Sequence, residues 1–170
     1  MKRMLFVITA FIFLVSCGKD DSTSKKDKSP CSLISETEIK EILSLPEEAP
    51  TTMKDEVLTF PTCSYKWETL TYEDQIEISG RIITYDEAYS MMIVLVSDAN
   101  KSMYERSIVV YKDAEKVSGL GEMATWGESM SQVTFLANGH LVHLHLKVSA
   151  TKSENKSKAI ELAKLVEERL

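Results

Sequence analysis

The chain has 170 residues, 20 Lys and Arg against 26 Asp and Glu, a formal net charge of −6 and 44% hydrophobic residues. That length is a prior for one domain, and the apolar content suits a packed core rather than disorder. The acidic balance argues against a nucleic-acid partner, which calls for a basic footprint.

Residues 1–16 read as an export signal. Lys2 and Arg3 give a positive start, and Met4 to Val15 an apolar run of twelve. A spanning helix needs ~20 apolar residues, so the run is too short to cross a membrane and suits a signal peptide. It closes on Leu14-Val15-Ser16-Cys17. Those four residues resemble the lipobox of bacterial lipoprotein precursors. The resemblance implies a diacylglycerol on the Cys17 sulfur, cleavage before Cys17 and acylation of the new amine. This covalent lipid is the only bound group expected, with no other cofactor. Several acyl chains, at ~0.8 kcal/mol per buried CH₂, would anchor the protein stably. Losing Lys2 and Arg3 takes the formal charge from −6 to −8.

Residues 17–30 follow as the lipidated Cys and a flexible tether. Gly18 to Pro30 has no aliphatic or aromatic residue and cannot bury apolar surface. Its start, Lys19-Asp20-Asp21, resembles the export signal of Bacteroidetes-type surface lipoproteins. That implies an outer-membrane location, with the cell surface favoured over the periplasmic face.

Residues 31–170 read as a single α+β domain. Ser35 with Glu38 three residues on has capping-box spacing, Ile39, Ile42 and Leu43 share a face, and Pro46 marks a stop, which predicts a helix. "EEAPTTMKDEV", from Glu47 to Val57, reads as a loop. From Cys63 the period becomes two: Cys63, Tyr65, Trp67 and Thr69 alternate with Ser64, Lys66 and Glu68, a half-buried strand. Ile76, Ile78 and Ile82 suggest a second strand, bent at Gly80. Met91 to Val96 is continuously apolar; its β-branching and length favour a buried strand over a helix segment. Asp98 is placed to cap a short helix over Ala99 to Arg106. "SIVVYKD" after it is strand-like. Gly119 and Gly121 make a turn into a strand, and lack the remaining glycine and helix of a dinucleotide fingerprint. Two alternating runs meet at Asn138-Gly139, which predicts a type I′ hairpin. The end, about Glu154 to Leu170, is an amphipathic helix with Ala159, Leu162, Ala163, Val166 and Leu170 inward. This order predicts an α+β fold: an antiparallel sheet with the N- and C-terminal helices packed on one face.

With Cys17 assigned to lipid, Cys31 and Cys63 remain. An exported protein lies in a disulfide-permissive compartment, and closing this loop is worth roughly 3–4 kcal/mol on the chain-entropy model. We therefore expect a bridge, against two free thiols or a two-cysteine metal site, for which the ligand count is short. "PCSLISETEIKEIL", "CSYKW" and "VSGLGEMATW", followed by a hairpin and a final helix, resemble a family of small two-cysteine bacterial envelope lipoprotein domains, with Cys31, Leu33, Cys63, Tyr65, Gly119, Gly121 and Ala124 at the matching positions. The resemblance implies an α+β fold and a cysteine bridge, and no catalytic residues.

All three histidines lie in "HLVHLHL". On a strand His143 and His145 share one face and His140 the other. Two imidazoles so spaced can share a metal ion, though a stable site needs at least one more ligand. Against this stands a plain polar strand face. The serines lack a Gly-x-Ser-x-Gly elbow. The expected function is therefore a lipid-anchored cell-envelope protein, non-enzymatic, held at a membrane and binding an envelope protein or small ligand, with no nucleic acid. The alternative is a metal-binding or metal-delivery lipoprotein using His143 and His145.

Overall fold

A computed structural model describes residues 28–170. The export signal, Cys17 and Lys19, Asp20 and Asp21 lie outside the described residues. Among the described residues the fold is α+β: three α-helices and one seven-stranded antiparallel sheet of β1 (Thr52–Val57), β2 (Pro61–Ile78), β3 (Arg81–Val96), β4 (Ala114–Lys116), β5 (Met123–Gly127), β6 (Gln132–Ala137) and β7 (His140–Lys147), in the order β1-β2-β3-β7-β6-β5-β4.

A 3-10 turn, Pro30–Ser32, leads into α1, Glu36–Leu43. The capping box forms as its spacing predicts: Ser35 accepts from the Glu38 N–H, and Glu38 accepts from the Ser35 N–H at 2.9 Å. Glu38 also takes both Arg169 nitrogens, at 2.9 and 2.5 Å, which ties the start of α1 to the C-terminal end of the chain. The guanidinium first, then the Ser35 bonds, hold the Glu38 carboxyl well below the usual carboxylate range.

The loop expected over Glu47–Val57 is half strand. β1, Thr52–Val57, pairs along β2, from Thr52 with Lys66 to Val57 with Pro61. Every β1 residue is exposed, so its side chains carry no alternation. β2, Pro61–Ile78, and β3, Arg81–Val96, are far longer than the pattern suggests. The predicted bend at Gly80 is a full reversal. Ser79 and Gly80 both have positive φ, 53° and 77°, the pair that a two-residue type I′ turn needs. Ile82 therefore lies in β3, opposite Glu77, and not in the strand of Ile76 and Ile78. The register slips once, between Trp67 and Thr71.

The helix expected from Asp98 starts later. Asn100 is its N-cap, accepting from the Met103 N–H, and α2 spans Lys101–Ser107. Asp98 instead takes φ 52°. "SIVVYKD" is a turn rather than a strand: Val109 and Val110 are exposed, Ile108 packs partly buried against the α2 cluster, and Tyr111 is buried. β4, Ala114–Lys116, is a short edge that the sequence does not announce. β5, Met123–Gly127, emerges from the Gly119–Gly121 turn. Gly121 is required twice over. Its φ is +57°, and a Cβ there would run into the Leu136 carbonyl. β6, Gln132–Ala137, and β7, His140–Lys147, join at Asn138 and Gly139, with φ 51° and 75°, as a type I′ hairpin.

α3, Lys152–Glu167, ends the fold. Its first turn is fixed from inside: buried Asn155 accepts from the Val148 N–H at 3.1 Å and donates to the Ser149 carbonyl at 2.7 Å. One core cluster joins Ile39 and Leu43 of α1, Ala159, Leu162, Ala163 and Val166 of α3, and the same-parity residues of the strands, among them Tyr65, Trp67, Ile93, Leu144 and Phe135. A second cluster, of opposite parity, sets Tyr104 of α2 against Val96, Leu136 and Leu141. The helices are thus divided between two apolar clusters. Cys31 and Cys63 form the expected disulfide, which ties the approach to α1 onto β2.

Candidate functional site

Away from the α2 cluster of Val96, Leu136 and Leu141, the second face of the sheet is largely polar, and strand register lays its side chains out in rows. Directly opposed residues of antiparallel strands share a face. One row runs Lys54, Ser64, Met92, His145, Gln132 across β1, β2, β3, β7 and β6. The next runs Glu56, Thr62, Val94, His143, Thr134, Thr125. A third holds Thr52, Lys66, Ser90 and Lys147. His143 and His145 therefore do lie on one face, with Lys147, as their parity predicts.

This face is covered at one end only. α2 brings the Tyr104 hydroxyl to Thr125 Oγ1 at 2.5 Å. The turn after α2 lays the Tyr111 ring on Gly127, where any Cβ would collide with it, and sets its hydroxyl 2.5 Å from Thr134. Gln132 Nε2 donates to the Tyr111 hydroxyl at 2.5 Å, and Thr134 Oγ1 lies 2.8 Å from His143 Nδ1. One direction satisfies this chain: Gln132 donates to Tyr111, Tyr111 to Thr134, and Thr134 to His143 Nδ1. The imidazole then carries its proton on Nε2. Burial lowers the pKa of His143, and burial followed by Lys147 lowers that of His145, so both favour the neutral ring. Burial raises the Tyr111 phenol against the lowering effect of its two hydrogen bonds.

At the other end the sheet face is open. A groove of about 470 Å³ lies over β1–β3 and β7, floored by Ser64, Ser90, Met92 and His145 and edged by Lys54 and Lys66. A shallower one, about 290 Å³, lies between α2 and the sheet, where Met103 and Arg106 face Leu141 and His143. His145 stands in the first groove and His143 at the border of the second. Lys147 pairs with Glu87 at 3.7 Å beside them.

No family model, curated protein or solved structure matches the chain. The chemistry must therefore be read from these side chains. Among the described residues, no group of three or more His, Cys, Asp and Glu is placed to hold a metal ion. His143 Nδ1 is engaged by Thr134, so its Nε2 is the nitrogen left to meet a ligand. Thr134, the hydroxyl on that imidazole, is fully buried, and no substrate can reach it as a nucleophile. What the groove offers is hydrogen bonding: two serine hydroxyls, a neutral imidazole, the Lys54 and Lys66 ammonium groups and the Glu56 and Glu68 carboxylates, with Lys66 paired to Glu68 at 3.2 Å, around an apolar Met92 floor.

Sequence reasoning found His143 and His145 because both lie in one alternating run. It missed Ser64, Met92, Gln132, Thr134 and Tyr111, which come from four other places in the chain. Only Ser64 had a local signal, as an outward position on the β2 alternation. No helix among the described residues is long and apolar enough to cross a membrane.

Proposed function

We propose that this chain is a lipid-anchored cell-envelope protein whose open sheet face binds a small ligand or a partner group, without catalysing a reaction on it. The anchor is Cys17, and residues 17–30 act as a tether. The outer membrane is the proposed site, with Lys19-Asp20-Asp21 as an address for the cell surface. What supports the binding role is the one-sided cover of the polar face. α2 and Tyr111 close the β5–β6 end, while the groove over Ser64, Ser90, Met92 and His145 stays open. Pockets that bind small molecules pair apolar lining with a few placed polar groups, and this groove has that make-up.

Two measurements test the reading. Mass spectrometry of the membrane fraction should give a mature N-terminus at acylated Cys17, and a start elsewhere removes the anchor. A thermal-shift screen of envelope-derived small molecules should yield ligands that raise the melting temperature of the native chain. Their effect should vanish in Ser64→Trp, which fills the groove. Ligands that stabilise that variant equally bind elsewhere, and the groove reading fails.

A further inference from the structure

The far half of the β2–β3 hairpin leaves the sheet. Pairing with β1 stops at Lys66, and pairing with β7 stops at Ser90. From Thr71 with Ala88 to Ile78 with Arg81, β2 and β3 pair only with each other among the described residues. This two-stranded ribbon reaches roughly 25 Å at strand rise. Register divides it into two unlike faces. Tyr72, Asp74, Ile76 and Ile78 share one with Glu87, Tyr85, Ile83 and Arg81. Glu73, Gln75 and Glu77 share the other with Asp86, Thr84 and Ile82. On the first face Ile76, Ile78 and Ile83 are 47%, 51% and 46% exposed.

We propose that the β2 edge of this ribbon, Tyr72–Ile78, docks an extended protein segment that alternates apolar and cationic residues and adds as a third strand. The first reason is the unfinished hydrogen bonding. An edge strand presents unpaired N–H and C=O groups, and a two-stranded hairpin alone is marginal in water. The second is the choice of guard residues. Edges are commonly blunted by Lys or Pro, yet Trp67 to Ala88 contains neither. Its charges are Glu68, Glu73, Asp74, Glu77, Asp86 and Glu87 against Arg81 alone. Carboxylates repel a second copy of the same ribbon and an anionic lipid surface, but attract a cationic strand. The third is the alternation itself. On the β2 edge Tyr72, Ile76 and Ile78 face one way, with Asp74 among them, and Glu73 and Glu77 the other. An incoming strand with valine or isoleucine on one parity and lysine or arginine on the next meets both faces at once, by strand addition.

The test uses the full chain in neutral detergent and a short fluorescent peptide of alternating valine and lysine. The peptide should bind, more weakly as salt rises, and amide exchange should slow at residues 71–78. The same peptide N-methylated on alternate amides should not bind, nor should one alternating valine and glutamate. Glu73→Gln with Glu77→Gln should weaken binding about tenfold, with near-UV circular dichroism unchanged to show an intact fold. Equal binding of the glutamate peptide, equal binding by that folded double variant, or protection outside the ribbon overturns the proposal. So does protection, without peptide, of the outward amides of that edge, those that do not bond β3. If it grows with chain concentration the occupant is a second copy; if it appears in anionic-lipid nanodiscs the occupant is lipid.

Discussion

The same two strands lead opposite lives. Pro61–Trp67 of β2 and Tyr89–Val96 of β3 lie inside a seven-stranded sheet, where Cys63, Tyr65, Trp67, Met91, Ile93 and Leu95 are buried. Beyond the register slip at Trp67 the strands continue for eight pairs with no neighbour on either side among the described residues, and their isoleucines face solvent. Residue type separates the halves in part: Ile and Tyr occur in both, but Glu73, Asp74, Glu77, Asp86 and Glu87 all lie in the far half and no carboxylate in the near one. For the apolar residues, what differs is whether another layer of the fold lies above. β-propensity specifies the strand, and packing decides whether its apolar face stabilises anything. The near half is scaffold. The far half is a formed element whose stabilising contacts are incomplete.

The largest effect that tests this contrast is Trp67→Ala. Trp67 has no exposed surface, and its loss should destabilise the domain by about 3–5 kcal/mol in urea unfolding. Its indole Nε1 is buried without a hydrogen-bond acceptor, so Trp67→Phe removes that unpaired donor along with some ring and should cost markedly less. Next is the bridge. Replacing Cys31 and Cys63 together by serine frees a segment spanning 32 positions and should cost about 3–4 kcal/mol. Amide exchange over residues 71–88 should remain as it was, because the bond fastens the near half only. A ribbon that melts with the bridge would show the halves to be one cooperative unit.

Smaller effects follow where polar groups are buried. Asn155→Ala strands the Val148 N–H and the Ser149 carbonyl at the start of α3 and should cost about 1–3 kcal/mol. The histidines give a pH dependence. Their folded pKa values lie below the ordinary value, so as pH falls through about 6.5 the unfolded chain takes up protons that the folded one does not. Stability is therefore full above that pH and declines below it. Lys147 adds to the decline and Glu87 opposes it at His145. His143→Asn with His145→Asn should flatten the slope, while a second decline below pH 4.5, as Glu38 is protonated away from Arg169, should persist.

The contrast also marks what the sequence could say. The capping box at Ser35, the Asn138-Gly139 turn, the inward stripe of α3 and the Cys63–Tyr65–Trp67 alternation are local patterns, and the structure has all four, though the alternation breaks before Thr69, which is exposed at the register slip. β1 was illegible because none of its six residues is buried, so no period records its strand. The Ser79-Gly80 reversal looks like a bend in the sequence because a serine at positive φ carries little warning. "SIVVYKD" misled in the other sense: its valines look like core but are exposed, and the residue that matters is Tyr111, placed by the non-local fit to Gly127 and Thr134. The groove is a product of register among β1, β2, β3 and β7, and register across four strands is not written in any one of them.

The smallest expected effect is the sharpest test of the comparison. Ile82 is 69% exposed on the carboxylate face of the ribbon, opposite Glu77. If the far half contributes nothing to the core, Ile82→Thr should change unfolding free energy by less than about 0.5 kcal/mol, as for a surface site. Thr keeps the β-branch, so strand propensity is held nearly constant and only apolar area is lost. Ile93→Thr makes the same chemical change in the near half of β3, at a side chain with no exposure, and leaves a hydroxyl in the core. Its cost should be several times larger. Similar costs at the two positions would mean that the ribbon packs against the domain in solution. Its isoleucines would then belong to the core, and the edge from Tyr72 to Ile78 would no longer be free to take a third strand.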